Sequence, residues 1–387
     1  MALGQVGSLL PHVVVPSVLA QYLIPEWHLS GAEAGLLAGA FAAGYMVSVP
    51  VLATLTDRID ARTILIWGSA LSAFATLMFG VLASGLWSGA AIWGLAGIGF
   101  GGAYMPGLKA LTDRLSHGNA SRAITLYTSF YSFGVGLSFL VAQLAAERWG
   151  WRSAFAVTAL GPLAMIAVCF LLKPVKPHPH KGKLLNFAPV VANRPAMGFI
   201  VGYGAHCFEL YGMRTWIVAF WTFVTMRNSG AAILSPIAVS VIFSVMAMPS
   251  SFIGNEIAIR IGRHRAIVSI MIVSAIVAVA IGIMSGHSEL ALLPLLALFA
   301  ITIPADSGAL TSGMTLASNP RYRGATMALH STVGFGAAAL GSWGVGVALD
   351  AAGGAQSSSG WMAAFCLMAA AVFVGPLALI LSRKEAT

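Results

Sequence analysis

The chain has 387 residues, 58% of them hydrophobic and only 9% charged, and its mean hydropathy is +0.86. A soluble domain carries about a quarter charged residues, so this composition excludes one and points to an integral membrane protein. The formal charge of +9 looks like a nucleic-acid signal until it is mapped onto the loops, where it reads as membrane orientation.

Twelve apolar spans are predicted: 4–24, 31–55, 63–84, 88–109, 123–146, 152–172, 196–226, 231–253, 265–285, 289–313, 325–349 and 360–381. Each is close to or above the ~20 residues that a helix needs to cross a bilayer. The first starts almost at Met1 with no basic residue before it, so it reads as a mature span rather than a signal peptide. The longest loop, 173–195, is rich in Pro and Lys and falls between spans six and seven. It is the expected cytoplasmic linker between an N-terminal bundle, 1–172, and a C-terminal bundle, 196–387. Cys169, Cys207 and Cys366 are far apart and all in apolar spans, so they form no disulfide framework.

Placing the N-terminus in the cytoplasm puts all but four of the 21 Lys and Arg residues on the cytoplasmic side. The exceptions are Arg148, Arg152 and Arg227 outside, and Arg214 inside a span. The two halves also echo each other. Arg58-Ile59 precedes span three as Arg260-Ile261 precedes span nine. Arg122 precedes span five as Arg323 precedes span eleven. Gly150-Trp151 opens span six as Gly360-Trp361 opens span twelve. Landmarks repeating in order predict duplicated six-helix halves, a secondary-transporter architecture.

Between spans two and three the chain reads Ala53-Thr54-Leu55-Thr56-Asp57-Arg58-Ile59-Asp60-Ala61-Arg62. With the counterpart Gly254 to Arg265 in the second half and the GWR at 150–152, it resembles the major facilitator superfamily over its whole length. Leu55, Asp57, Arg58 and Arg62 fit the motif of that family, while Ala53 and Asp60 stand where it has glycines. The resemblance implies an all-α fold of twelve transmembrane helices in two pseudo-symmetric six-helix bundles. It also implies gating roles for Asp57, Arg58, Arg62, Glu256, Arg260, Arg263 and Arg265 at the cytoplasmic side; otherwise these residues only obey the positive-inside rule. The Gly-Pro pair of drug antiporters is absent from span five, where Gly134 and Gly136 stand without a proline. The span-four arginine of many proton-coupled members is also absent.

Ionisable residues inside spans are costly and mark functional positions. The stretch Tyr203 to Trp216 carries three of them, His206, Glu209 and Arg214. Helical spacing puts His206 and Glu209 on one face with Met213 and Trp216, and turns Arg214 about 140° away from Glu209. His206 and Glu209 read as a proton-coupling or substrate-binding pair, or as a structural hydrogen-bonded pair. Arg214 reads as a clamp for a carboxylate, a snorkelling residue, or a member of an ion pair with another span. Asp306 follows Pro304 in span ten, and span four has Pro106 at the matching place, so both helices are expected to be interrupted near a binding site or hinge. His12 and His330 are lone intramembrane histidines that line the cavity or bond a neighbouring backbone. Tyr127 and Tyr131 make span five aromatic, as a cavity wall or as packing.

Gly97-x-Gly99-x-x-Gly102 has the letters of a dinucleotide fingerprint but lies inside a span, where small residues let helices approach. The sequon at Asn119 falls on the cytoplasmic side. The resulting expectation is a secondary transporter, not an enzyme, that moves a small organic anion with protons by alternating access. His12, Tyr127, Tyr131, His206, Arg214 and Trp216 would bind the substrate, and Glu209 and Asp306 would carry protons. The alternatives are a proton antiporter exporting a cationic or amphipathic compound, a soft-metal importer, and a non-transporting sensor. No cofactor, bound metal or nucleic-acid partner is expected. The protein is expected to be a monomer in the lipid bilayer of the cytoplasmic (inner) membrane, with both termini cytoplasmic.

Overall fold

The computed structural model describes residues 1–114, 120–177, 186–227 and 232–382. Asn119, the linker residues 178–185 with Lys181 and Lys183, and the C-terminal Arg383 and Lys384 lie outside the described residues, as does the side chain of Arg122. The described chain is helical throughout, with no strand. In order, its long helices are α1 (Ala2–Leu9 and Val14–Trp27), α2 (Gly31–Leu55), α3 (Ala61–Leu82), α4 (Leu86–Thr112), α5 (Ala120–Trp149), α6 (Trp151–Leu171), α7 (Arg194–Met226), α8 (Pro236–Ile261), α9 (Arg263–Met284), α10 (Glu289–Ala317), α11 (Arg323–Ala351) and α12 (Ser358–Leu381). Ten have the length and apolarity to cross a bilayer, and the bent pair of α1 makes an eleventh. The remaining long helix is α7, 33 residues that include the three ionisable side chains singled out above.

Local chemistry sets the helix ends. Ser30 and Glu33 form a capping box at the start of α2. Asp60, Asn193 and Ser235 accept from backbone N–H groups at the starts of α3, α7 and α8. Gly150 and Gly262 each reverse the chain alone, with φ of +84° and +94°, a conformation in which a Cβ would be strained.

α1, expected as one span over 4–24, is not continuous. It breaks between Leu10 and Val13 and bends by 46°. Pro11 lacks an N–H and its ring crowds the carbonyl four residues back. The turn closes instead through His12 N to Leu9 O and Val14 N to Pro11 O, at 2.9 and 3.1 Å. α4 and α10 are also interrupted, at Gly102–Ala103 and at Asp306, close to Pro106 and Pro304 as expected.

The first six and the last six helices form two bundles. Within the first, Gly97 of α4 lies against the Phe41 carbonyl of α2, and Gly99 against Ser72 of α3. These glycines of the pseudo-fingerprint are close-approach positions, and a side chain there would collide with backbone. Trp67, Phe74, Val81, Ile276 and Ile283 are exposed large apolar residues, as a lipid-facing surface requires. The basic residues Arg58, Arg62, Arg114, Arg260, Arg263 and Arg323 gather at one end of the bundles, termed here the basic end, and the other is the far end.

Candidate functional site

α7 presents its ionisable groups to three different neighbours. Arg214 points to the meeting of the bundles, where a small cavity is lined by His12, Pro16 and Phe41 of the first bundle and Tyr211, Thr215 and Ser342 of the second. Its guanidinium carbon stands 4.9 Å from the centroid of the Tyr211 ring, a cation–π contact. Arg214 is only 3% exposed, so it does not snorkel. Among the described residues it forms no ion pair, and its Nε and Nη1 have no hydrogen-bond partner. A charge held in this way needs compensation, and an anion in the cavity would supply it.

The break in α1 places His12 beside this group. Its Nε2 stands 3.1 Å from the Tyr131 hydroxyl and 3.2 Å from the Tyr211 hydroxyl, and the two hydroxyls are 3.0 Å apart. This three-membered node joins α1 and α5 of one bundle to α7 of the other. His12 Nδ1 is buried and has no partner among the described residues. The space left between these walls is closed down to about one water-sized sphere.

His206 and Glu209, expected as a pair, take different partners. His206 Nδ1 lies 2.7 Å from Asp306 Oδ1, with both side chains almost fully buried. Asp306 is presented by the interruption in α10. Glu209 Oε1 accepts from Ser274 Oγ of α9 at 2.9 Å, and Thr302 Oγ1 of α10 reaches the same Ser274 at 3.5 Å. Glu209 therefore sits among α7, α9 and α10, within the second bundle. His330 stacks on Tyr203 at 3.9 Å, and Tyr203 on His206 at 5.6 Å. Ser274 gave no sequence signal, since a lone serine in an apolar span is ordinary.

Two expected substrate residues face elsewhere. Trp216 donates its indole N–H to the Ser342 carbonyl at 2.9 Å and ties α7 to α11. The Tyr127 hydroxyl donates to Gln5 Oε1, inside the first bundle. Both have committed their only donor to packing contacts, and neither lines the cavity around Arg214.

The expected gating charges make no ion pair between bundles among the described residues. Arg260 pairs with Glu256 of its own helix at 3.1 Å, on the exposed surface. Arg263 donates to Ser312 at 3.2 Å within the second bundle. Arg62 Nε is buried without a partner among the described residues, and no ion pair of Asp57, Arg58 or Arg265 is found among them. A less exposed ion pair at this end is Asp60–Arg114, at 3.1 Å, with Val175 N donating to Asp60 at 2.9 Å. Burial alone would raise the Asp60 carboxyl. The N–H groups of Val175 and Arg62, together with Arg114, outweigh it and hold the group below its usual range. In the sequence this residue stood out only as a departure from a motif glycine.

A family-wide sequence model, described as Major Facilitator Superfamily, matches residues 1–342. An uncharacterized MFS-type transporter, YbcL, of Bacillus subtilis is 29% identical over 142 residues, 36% of either chain. A gallate transporter of Pseudomonas putida is 26% identical over 163 residues, 42% of this chain and 36% of that one. The alignments thus span about a third of the length of these curated relatives. Among solved structures, a bacterial homologue of the human lysosomal transporter Spinster, inward-facing and occupied, superposes with a TM-score of 0.78 at 18% identity, covering 100% of this chain and 97% of that one. The nucleoside transporter NupG superposes with a TM-score of 0.74 at 14% identity, covering 98% and 99%.

Proposed function

This chain belongs to the major facilitator superfamily, and from that premise we propose that it carries a small organic monocarboxylate across the membrane together with protons. The observation that carries the reading is Arg214: a fully buried guanidinium, between the bundles, with no acid beside it among the described residues. A planar guanidinium binds a carboxylate through two parallel N–H···O bonds. The cavity presents one cation and no carboxylate, which matches a single negative charge better than a dicarboxylate, a cation or a zwitterion. The apolar and aromatic walls, Pro16, Phe41 and Tyr211, suit an organic body behind the carboxylate. The gallate transporter among the relatives supports an organic acid as cargo.

The His206–Asp306 contact and Glu209 are the proton sites of this reading. The His206 and Asp306 side chains approach to 2.7 Å without a hydrogen bond between the two atoms in this state, and a buried ionisable pair inside a span is the kind of site that proton carriers use. Because Asp306 already has His206 and Glu209 already has Ser274, the acids are placed for protons rather than for a cationic cargo. The basic end is assigned to the cytoplasm by the positive-inside rule. The protein then works as a monomer in a cytoplasmic membrane, rocking residues 1–172 against 196–387 around Arg214.

The test is uptake of labelled monocarboxylates, aromatic and aliphatic, into proteoliposomes under an imposed proton gradient. Uptake should follow the gradient and be lost in Arg214→Ala. Glu209→Gln keeps an oxygen that accepts from Ser274, so it should fold normally, retain exchange of cargo and lose the response to the gradient. Exchange and gradient-driven uptake lost together in Glu209→Gln would remove the glutamate from proton coupling.

A further inference from the structure

Among the described residues, the contacts that join the bundles include the node at His12, a seam between α2 and α11, and the bond from Gln143 Nε2 to Ser240 Oγ at 2.9 Å. The seam ends in a carboxylate. Asp350, in the last turn of α11, accepts from the backbone N–H groups of Gly31 and Ala32 at 2.8 and 2.7 Å. These are the first two residues of α2. A helix start leaves its first N–H groups without intrahelical partners and carries partial positive charge. The capping box turns Ser30 onto the Glu33 N–H and Glu33 back onto Ser30. The N–H groups of Gly31 and Ala32 are left for a carboxylate from the other bundle.

The fit depends on small residues. A Cβ at Gly31 would stand 2.6 Å from Asp350 Oδ1 and 2.7 Å from the Gly346 carbonyl. Further along, Gly35 lies against the Ser342 carbonyl and Gly39 against that of Ala339. Backbone thus meets backbone from the far end down to the stacked rings of Tyr45 and Phe335, 3.8 Å apart. At the basic end, by contrast, no ion pair crosses between the bundles among the described residues. The charge-assisted contact between bundles lies at the far end.

We propose that Asp350 is the latch of the far end. Its carboxylate on the start of α2 holds that end shut in the state seen here, and it must let go each time the central cavity opens to that side. The latch does not depend on what the cavity carries. Removing the carboxylate leaves the glycine seam in place but exposes two N–H groups to water, so the equilibrium shifts towards opening of the far end by roughly fivefold or more.

The experiment measures distances across the far end by pulsed electron resonance. Spin labels are placed at the exposed Ser84, between α3 and α4, and Ser288, between α9 and α10, with Cys169, Cys207 and Cys366 replaced by Ala. The unaltered latch should give a single short distance. Asp350→Ala should add a longer population, and Asp350→Asn, which keeps one acceptor oxygen, should fall between them. Gly35→Leu wedges the seam by bulk and marks the distance of the open state. A distribution in Asp350→Ala and Asp350→Asn identical to that of the parent would overturn the proposal and leave packing alone as the closure. If Asp350→Ala does not purify, Asp350→Asn alone decides between the two.

Discussion

At the scale of single residues, the costs fall on Arg214. A buried guanidinium with no ion pair among the described residues, and with Nε and Nη1 lacking hydrogen-bond partners there, is costly to the empty protein, and the chain retains it. Replacing it with methionine, of similar length and without charge, should raise the melting temperature by an amount equivalent to roughly 1–2 kcal/mol while removing anion binding. Thermal unfolding with and without a carboxylate checks both halves of this expectation; a drop in stability would mean that Arg214 has a structural partner. Asp60 predicts the opposite kind of behaviour. Its carboxyl is held below its usual range, so its ion pair stabilises the fold above the unfolded pKa, and the contribution is lost as pH falls through the folded value. The melting temperature of Asp60→Asn should therefore lie below that of wild type at neutral pH, with the gap closing below about pH 4. A gap that persists at low pH would assign Asp60 a role independent of its charge. His206, Glu209, Arg214 and Asp306 were visible in the sequence because charge inside an apolar span is rare. Their partners were not, because spacing along one helix does not say which neighbour each side chain faces. Asp306 and Ser274 come from α10 and α9, and they separate His206 from Glu209.

At the scale of elements, the helices and most of their ends were legible from hydropathy and from Pro, Gly and capping residues. The exception is α1. Pro11 and Pro16 were present in the sequence, but an uninterrupted apolar run hid the break that carries His12 to Tyr131 and Tyr211. Restoring a regular helix there with Pro11→Ala should move His12 away from Tyr211 and weaken anion binding without unfolding the chain. Binding isotherms together with thermal melts separate these effects, and unchanged affinity would remove the break from the site. Close packing gives a second expectation. Gly97 meets the Phe41 carbonyl, so Gly97→Leu should cost about 1–3 kcal/mol or more, read as a lower melting temperature or as loss of folded protein. A neutral outcome would mean that α2 and α4 are not in backbone contact.

At the scale of the whole molecule, the duplicated landmarks and the charge asymmetry gave the two-bundle architecture. They did not give its conformation. Which end is shut depends on contacts between residues more than 300 positions apart, such as Gly31 with Asp350, and no local pattern encodes them. The motif charges at the basic end suggested gating there, yet in this state none of them forms an ion pair between the bundles among the described residues. Arg214 is proposed to make the cavity between the bundles a site for a single carboxylate. Isothermal titration of the purified protein with monocarboxylates, dicarboxylates and organic cations tests it most directly. A monocarboxylate should bind best, and Arg214→Ala should weaken its binding by roughly 10- to 100-fold, with Arg214→Lys in between. Binding of a cation that survives in Arg214→Ala, with the carboxylates silent, would contradict it.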